Sequence, residues 1–178
     1  MNFNDPFRED LRTSEKVYAR LFAEWYAVLY RYAYSVLKDA AAAEEAVQSV
    51  FCDVWEKRER LRVHTSLKAY LLGCVYHQCV DAMRERKKAR RYLLHLWHTR
   101  QDLPAGGDFG VGLKELEKKL DDALNELPDR CRAIFLLSRF GQLGYKEIAA
   151  QLDISVKTFE GQMSKALKHL RKRLFDFL

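Results

Sequence analysis

The chain's 178 residues are 48% hydrophobic and 31% charged, with a formal net charge of +6, which excludes disorder throughout and leaves room for one medium domain or two small ones. No run of 18 apolar residues could span a bilayer, and the start, Met-Asn-Phe-Asn-Asp-Pro, lacks the basic and apolar stretches of a leader, so a cytoplasmic protein is expected. Three prolines, eight glycines and a remainder rich in Ala, Leu, Glu, Lys and Arg predict an all-α chain.

A first helix is predicted from Ser14 to Leu37, rich in aromatics (Tyr18, Phe22, Trp25, Tyr26, Tyr30, Tyr32, Tyr34). Asp39 is placed to cap a second, whose apolar face repeats at spacings of three and four through Ala43, Ala46, Val47, Val50, Phe51, Val54 and Trp55. Its other face carries Glu44, Glu45, Gln48, Asp53 and Glu56. After a polar break from Leu61 to Ser66, Thr65 or Ser66 can cap a third helix that turns Leu67, Leu71, Cys74, Val75 and Val80 inward. That helix runs into Arg84–Arg91, six basic residues and one acidic. Cys52, Cys74, Cys79 and Cys131 form no Cys-x-x-Cys pair and fall within apolar helical patterns, so they are expected as small buried hydrophobes in a reducing compartment. His95 and His98 could share a helix face, but no second ligand pair at metal spacing accompanies them. No metal, cofactor or small-molecule substrate is expected.

Pro104, Gly106, Gly107, Gly110 and Gly112 make 99–112 a flexible linker between two helical domains, 1–98 and 113–178, each large enough to fold alone. Beyond it, Leu113, Leu116, Leu120, Leu124 and Leu127 form one apolar stripe, and Pro128 is suited to the first turn of the next helix, which carries Cys131, Ile134, Phe135 and Leu137 and stops near Gly141. A short helix from Tyr145 to Leu152, a turn at Asp153-Ile154-Ser155 and a long helix from Val156 to about Leu174 follow. The spacing is that of a helix-turn-helix. Ala149 lets the helices approach, Asp153 tolerates a positive φ, Ile154 is buried, and Ser155 caps the second helix, with Phe159 and Met163 inward. Ser155–Arg173 again holds six basic residues against one acidic, and the 151 residues outside the two basic segments sum to −4. Charge concentrated at two places suits a polyanion met twice.

The stretch from Tyr145 (Tyr-Lys-Glu-Ile-Ala-Ala-Gln-Leu-Asp-Ile-Ser-Val-Lys-Thr-Phe-Glu) to Lys165-Ala-Leu-Lys-His-Leu-Arg, preceded by Leu127-Pro-Asp-Arg-Cys-Arg-Ala-Ile-Phe-Leu-Leu-Ser, resembles the fourth conserved region of extracytoplasmic-function (ECF) sigma factors. Response regulators share much of this half. The N-terminal half decides: Ala43-Glu-Glu-Ala-Val-Gln-Ser-Val-Phe-Cys-Asp-Val-Trp-Glu-Lys-Arg is similar to the helix that grips the paired helices of the polymerase β′ subunit, and Ser66-Leu-Lys-Ala-Tyr-Leu-Leu through Asp81-Ala-Met-Arg resembles the segment that opens the −10 promoter element.

The resemblance implies a transcription initiation factor, not an enzyme, that binds core RNA polymerase and promoter DNA and is held by an anti-sigma factor, often membrane-tethered. It assigns Glu44, Glu45, Gln48, Asp53 and Glu56 to the polymerase. His64, Ser66, Tyr70, Tyr76, His77, Gln78, Asp81, Arg84, Arg86, Lys87 and Lys88 go to the −10 element, where aromatics stack on unpaired bases and cations track phosphates. Each tyrosine there either stacks or packs in the core. Ser155, Lys157, Thr158, Glu160, Gly161, Gln162, Ser164, Lys165 and Lys168 go to the −35 element. Departures from the family pattern are Tyr76-His77 in place of Arg-Asn, Phe159 in place of a branched aliphatic, and Gly161, which either lets backbone approach DNA or is simply tolerated at about 1 kcal/mol. Rival readings are a response-regulator-type helix-turn-helix regulator and a nuclease, the latter lacking clustered carboxylates at metal spacing.

Overall fold

The computed structural model describes residues 15–58, 60, 61, 63, 66–96, 113–141 and 143–175. His64, Thr65, His98 and the expected linker 99–112 lie outside them.

Helix α1 (Glu15–Leu37) contains neither Gly nor Pro. It stops where Lys38 turns to a φ of 52° and donates its backbone N–H to the Tyr34 carbonyl at 2.8 Å, a left-handed residue that closes the last turn. The next residue starts α2 (Ala40–Lys57): Asp39 accepts from Ala42 N at 2.9 Å, the expected cap. Ser66 caps α3 (Leu67–Leu96), its Oγ accepting from Ala69 N at 3.2 Å. The second half holds α4 (Leu113–Asn125), α5 (Asp129–Gly141), α6 (Tyr145–Gln151) and α7 (Val156–Arg173). Pro128 stands one place ahead of the first turn of α5, its carbonyl accepting from Arg132 N at 2.9 Å.

The two halves do not stand apart. Residues from all seven helices form one continuous apolar core, α4 contributing Ala123 and Leu124. Tyr32 is fully buried, its ring edge on Phe140 of α5 and its hydroxyl donating to the Ala133 carbonyl at 3.1 Å. Arg132 of α5 donates to the Val36 carbonyl at 2.9 Å. Lys38 pairs with Asp121 of α4, and Lys87 of α3 with Asp129 of α5. Between α3 and α6 the approach is closer still: a Cβ on Gly73 would fall 2.2 Å from Cγ of Gln151. The all-α architecture in two helical halves stands as expected, and non-local packing, invisible to periodicity, brings the halves into contact.

Three expectations need correcting. Cys52 is exposed, because it lies off the α2 stripe of Val47, Val50, Phe51 and Val54. The leucine stripe of α4 is covered only at its end: Leu124 and Leu127 are buried while Leu116 and Leu120 are each 38% exposed. Ile154 is half-buried rather than buried.

Candidate nucleic-acid interfaces

The helix-turn-helix is built from backbone satisfaction. At the end of α6, Asp153 takes a φ of 50° while its N–H donates to Ala150 O and that of Ile154 to Ala149 O, the paired closure of a Schellman turn. Ser155 then caps α7, its Oγ accepting from Thr158 N at 3.0 Å and lying 2.8 Å from Thr158 Oγ1. Phe159 is fully buried with Met163, and the Tyr145 ring lies 4.9 Å from that of Phe159. With that face fixed inward, Ser155, Lys157, Thr158, Glu160, Gly161, Ser164, Lys165 and Lys168 are exposed. Gln162 is half-buried, and its carbonyl accepts from Cys131 Sγ at 3.4 Å. A Cβ on Gly161 would meet nothing within 4 Å, so packing within the chain does not require glycine there.

Along α3 the expected −10 residues divide. His77, Asp81, Arg84 and Lys88 are exposed at spacings of three and four, with Tyr70 and Gln78 half-buried beside them. Arg84 pairs with Asp81 at 2.8 Å and Lys88 with Glu85 at 2.6 Å; such exposed pairs contribute little and release their cations easily. Burial pushes the Tyr70 phenol up, with Cys74 and Asp53 beside it. Tyr76 is a correction: at 2% exposure it belongs to the core next to Tyr32, with only its edge against His77. Arg86 and Lys87 turn toward the chain itself. Arg86 holds Asp39 at 2.6 Å and the Leu37 carbonyl at 3.1 Å, and Lys87 holds Asp129 at 2.6 Å.

The acidic face of α2 also divides. Gln48 donates to Glu44 at 3.1 Å on the exposed surface, and desolvation first, then the Glu44 charge, pushes the Tyr26 phenol up. Asp53 pairs with Lys57 at 3.0 Å and acts on Tyr70 and Cys74 of α3. Nine residues separate Glu44 from Asp53, which puts them about 180° apart around the helix. Glu45 and Glu56 are exposed.

Residues 21–89 match the Sigma-70 region 2 model and residues 117–170 the Sigma-70 region 4 model. The chain belongs to the ECF class of the sigma-70 family. The ECF RNA polymerase sigma factor SigK of Mycobacterium tuberculosis (strain H37Rv) is 26% identical over 161 residues, spanning 86% of this chain and 85% of that one. RpoE of Cereibacter sphaeroides is 24% identical over 136 residues, 76% and 74% of the two chains. In fold the sigma factor is similar to CnrH, solved with the cytosolic domain of CnrY (TM-score 0.68, 19% identity, 96% of each chain), and to RpoE of Bartonella quintana, solved with the anti-sigma factor NepR (TM-score 0.65, 21% identity, 87% and 96%). The region 2 match fills the N-terminal half, which disfavours the response-regulator reading.

Two features of this sigma factor escape motif reading. Tyr32, Gly73 and Arg132 join the halves although no local pattern marks them. Phe22, Tyr26, Tyr30 and Tyr34 follow one another along α1, the first pair tilted and the next two stacked, contacts that a four-residue spacing permits without specifying.

Proposed function

We propose that this sigma factor directs core RNA polymerase to promoters through three surfaces on its helices. The observation that carries the reading is the capped start of α7, where buried Phe159 fixes which way the basic helix faces. Residues 113–178 read the −35 element: Lys157, Lys165 and Lys168 meet phosphates, and Ser155, Thr158, Glu160, Gly161, Gln162 and Ser164 line the groove side, as N-terminal residues of a recognition helix do.

Residues 1–98 bind the polymerase and the −10 element. The outward stripe of α3 (Tyr70, His77, Gln78, Asp81, Arg84 and Lys88, starting at Ser66) takes the opened strand; Tyr76 supports it from the core. Arg86 and Lys87 serve DNA only after leaving Asp39 and Asp129. On α2, Glu44, Glu45, Gln48 and Glu56 face the β′ helices, where charge complementarity sets register and on-rate. An anti-sigma factor is the inferred regulator, since the Bartonella RpoE was solved with one, NepR, and CnrH with the cytosolic domain of CnrY. The described residues contain no helix long and apolar enough to cross a membrane, in keeping with action in the cytoplasm.

Run-off transcription with purified core polymerase tests the reading. Initiation at a discrete start site only when the protein is added supports it; sequence-specific binding of duplex by the protein without polymerase, with initiation unaffected by its addition, would sink it.

A further inference from the structure

Past its reading end, α7 carries a face that DNA does not explain. Ser164, Leu167, Lys168, Arg171, Lys172 and Phe175 succeed one another at helical spacing and line one open groove of about 870 Å³. From Gly161 to Arg173 the helix contains no Asp or Glu. Its cations divide by side. Arg173 is held by Glu126, with His169 3.2 Å from the same carboxylate, whereas Lys168, Arg171 and Lys172 have no ion-pair partner among the described residues. The apolar members of the groove are turned outward, Leu167 at 41% and Phe175 at 75% exposure.

Free cations suit a nucleic acid, an acidic protein or an anionic bilayer, and magnitudes separate the three. Arg171 lies about 24 Å along the helix axis from Ser155, twice the roughly 12 Å width of a major groove. The end of α7 therefore stands clear of a duplex read by its N-terminal residues, and phosphates give an exposed phenylalanine nothing. A stable protein interface draws on about 20–30 residues a side, whereas six line this groove. A bilayer asks for less: basic side chains for its phosphates, one or two apolar side chains for the acyl boundary beneath, and no carboxylate to repel it.

We propose that the end of α7 is a docking face for an anionic lipid bilayer. Lys168, Arg171 and Lys172 meet the headgroup phosphates, and Leu167 and Phe175 enter the acyl boundary. So few anchoring groups make the binding reversible. Lipid binding goes beyond the sigma-factor reading and does not depend on it. Its consequence for transcription does, because Ser164 and Lys168 belong both to this face and to the −35 side of α7, so that lipid and promoter exclude each other.

Co-sedimentation of the full chain with vesicles tests the proposal. Phosphatidylcholine vesicles containing about 30% phosphatidylglycerol should retain the chain at ~0.1 M salt and release most of it at ~1 M, and phosphatidylcholine alone should retain little. Leu167→Ser with Phe175→Ser should lower the partition coefficient roughly tenfold, as should Arg171→Ala with Lys172→Ala. All four side chains are exposed, and an unchanged thermal melt shows that the variants fold. Absence of retention on anionic vesicles overturns the proposal. So does retention that the serine pair leaves unchanged, which is charge attraction alone, or that Arg84→Ala with Lys88→Ala abolishes while the Arg171 and Lys172 variant keeps it, which puts the contact on α3. A chain that ignores the vesicles but binds a synthetic amphipathic peptide of Leu and Glu, or dimerises in light scattering, in a way the serine pair removes, has a protein occupant there and overturns it too. Retention on anionic vesicles, lost in the serine pair, by a chain that fails to direct initiation overturns the functional reading and leaves this one standing.

Discussion

Lys38 occupies a left-handed conformation that costs a side-chain-bearing residue about 1–2 kcal/mol, while its ammonium reaches Asp121 across the junction between the halves. Lys38→Gly relieves the strain and removes the bridge together. Thermal unfolding should therefore move by no more than about 1 kcal/mol, while limited proteolysis between the halves becomes faster. Its neighbour Asp39 behaves differently. The Ala42 N–H bond chiefly, then the Arg86 charge, holds its carboxyl below the ordinary value of 3.8. A lowered folded-state pKa contributes stability that is full above about pH 4 and is lost as pH falls through the folded value. Asparagine caps as well as aspartate but cannot titrate, so Asp39→Asn should leave α2 intact and flatten the acid limb of the stability profile, measured by melts from pH 6 to pH 3.

At the scale of the element, α7 offers two separable tests. Ser155→Ala removes the cap and should lower stability by about 1 kcal/mol, visible in chemical denaturation. Gly161→Ala should raise it by a similar amount because nothing obstructs the Cβ. Band shifts of holoenzyme on −35 DNA then decide the role of that glycine: unchanged affinity means it is tolerated, and a loss means backbone approaches DNA there. Lys157→Ala and Lys165→Ala should each reduce the salt slope of promoter binding by about one without moving the melt.

Caps and inward faces were legible at this scale: Asp39, Ser66, Ser155, Phe159 and Met163 stand where local hydrogen bonding and a 3.6-residue period put them. Tyr76 was not, because whether an aromatic faces core or solvent depends on Tyr32 from another helix. Cys52 was missed for the opposite reason. It follows apolar Val50 and Phe51 in the chain, yet Gln48, Ser49 and Glu56 share its side of α2, and that side points outward.

For the whole molecule, the join between halves is the part no sequence pattern announced. Tyr32, Arg132 and Gly73 make contacts over separations of 78 to 101 residues in the chain (Tyr32–Ala133, Arg132–Val36, Gly73–Gln151). Gly73→Ala tests it directly. Within α3 alone alanine should favour the helix by about 1 kcal/mol, but its Cβ meets Gln151, so the halves should separate and the radius of gyration should rise above the roughly 16 Å of a compact chain this long. Scattering at low and high salt should leave the wild type equally compact, since Lys38–Asp121 and Lys87–Asp129 are surface pairs that contribute little beside the shared apolar core. A Gly73→Ala chain as compact as wild type would mean Gln151 simply swings aside.

The contact of Gly73 with Gln151 also sets a length. Elements named −10 and −35 lie about 25 base pairs apart, or about 85 Å of duplex at 3.4 Å per pair, whereas a packed chain of this size measures roughly 40 Å across. With α3 and α6 touching, no rotation of the protein lays both helices on their elements. Spanning them requires the halves to part, and the fourteen residues from 99 to 112 can reach at most about 50 Å when extended. The packed form and the promoter-spanning form therefore compete for the same molecules, and a substitution that tightens the packing lowers promoter occupancy without touching a DNA-facing side chain.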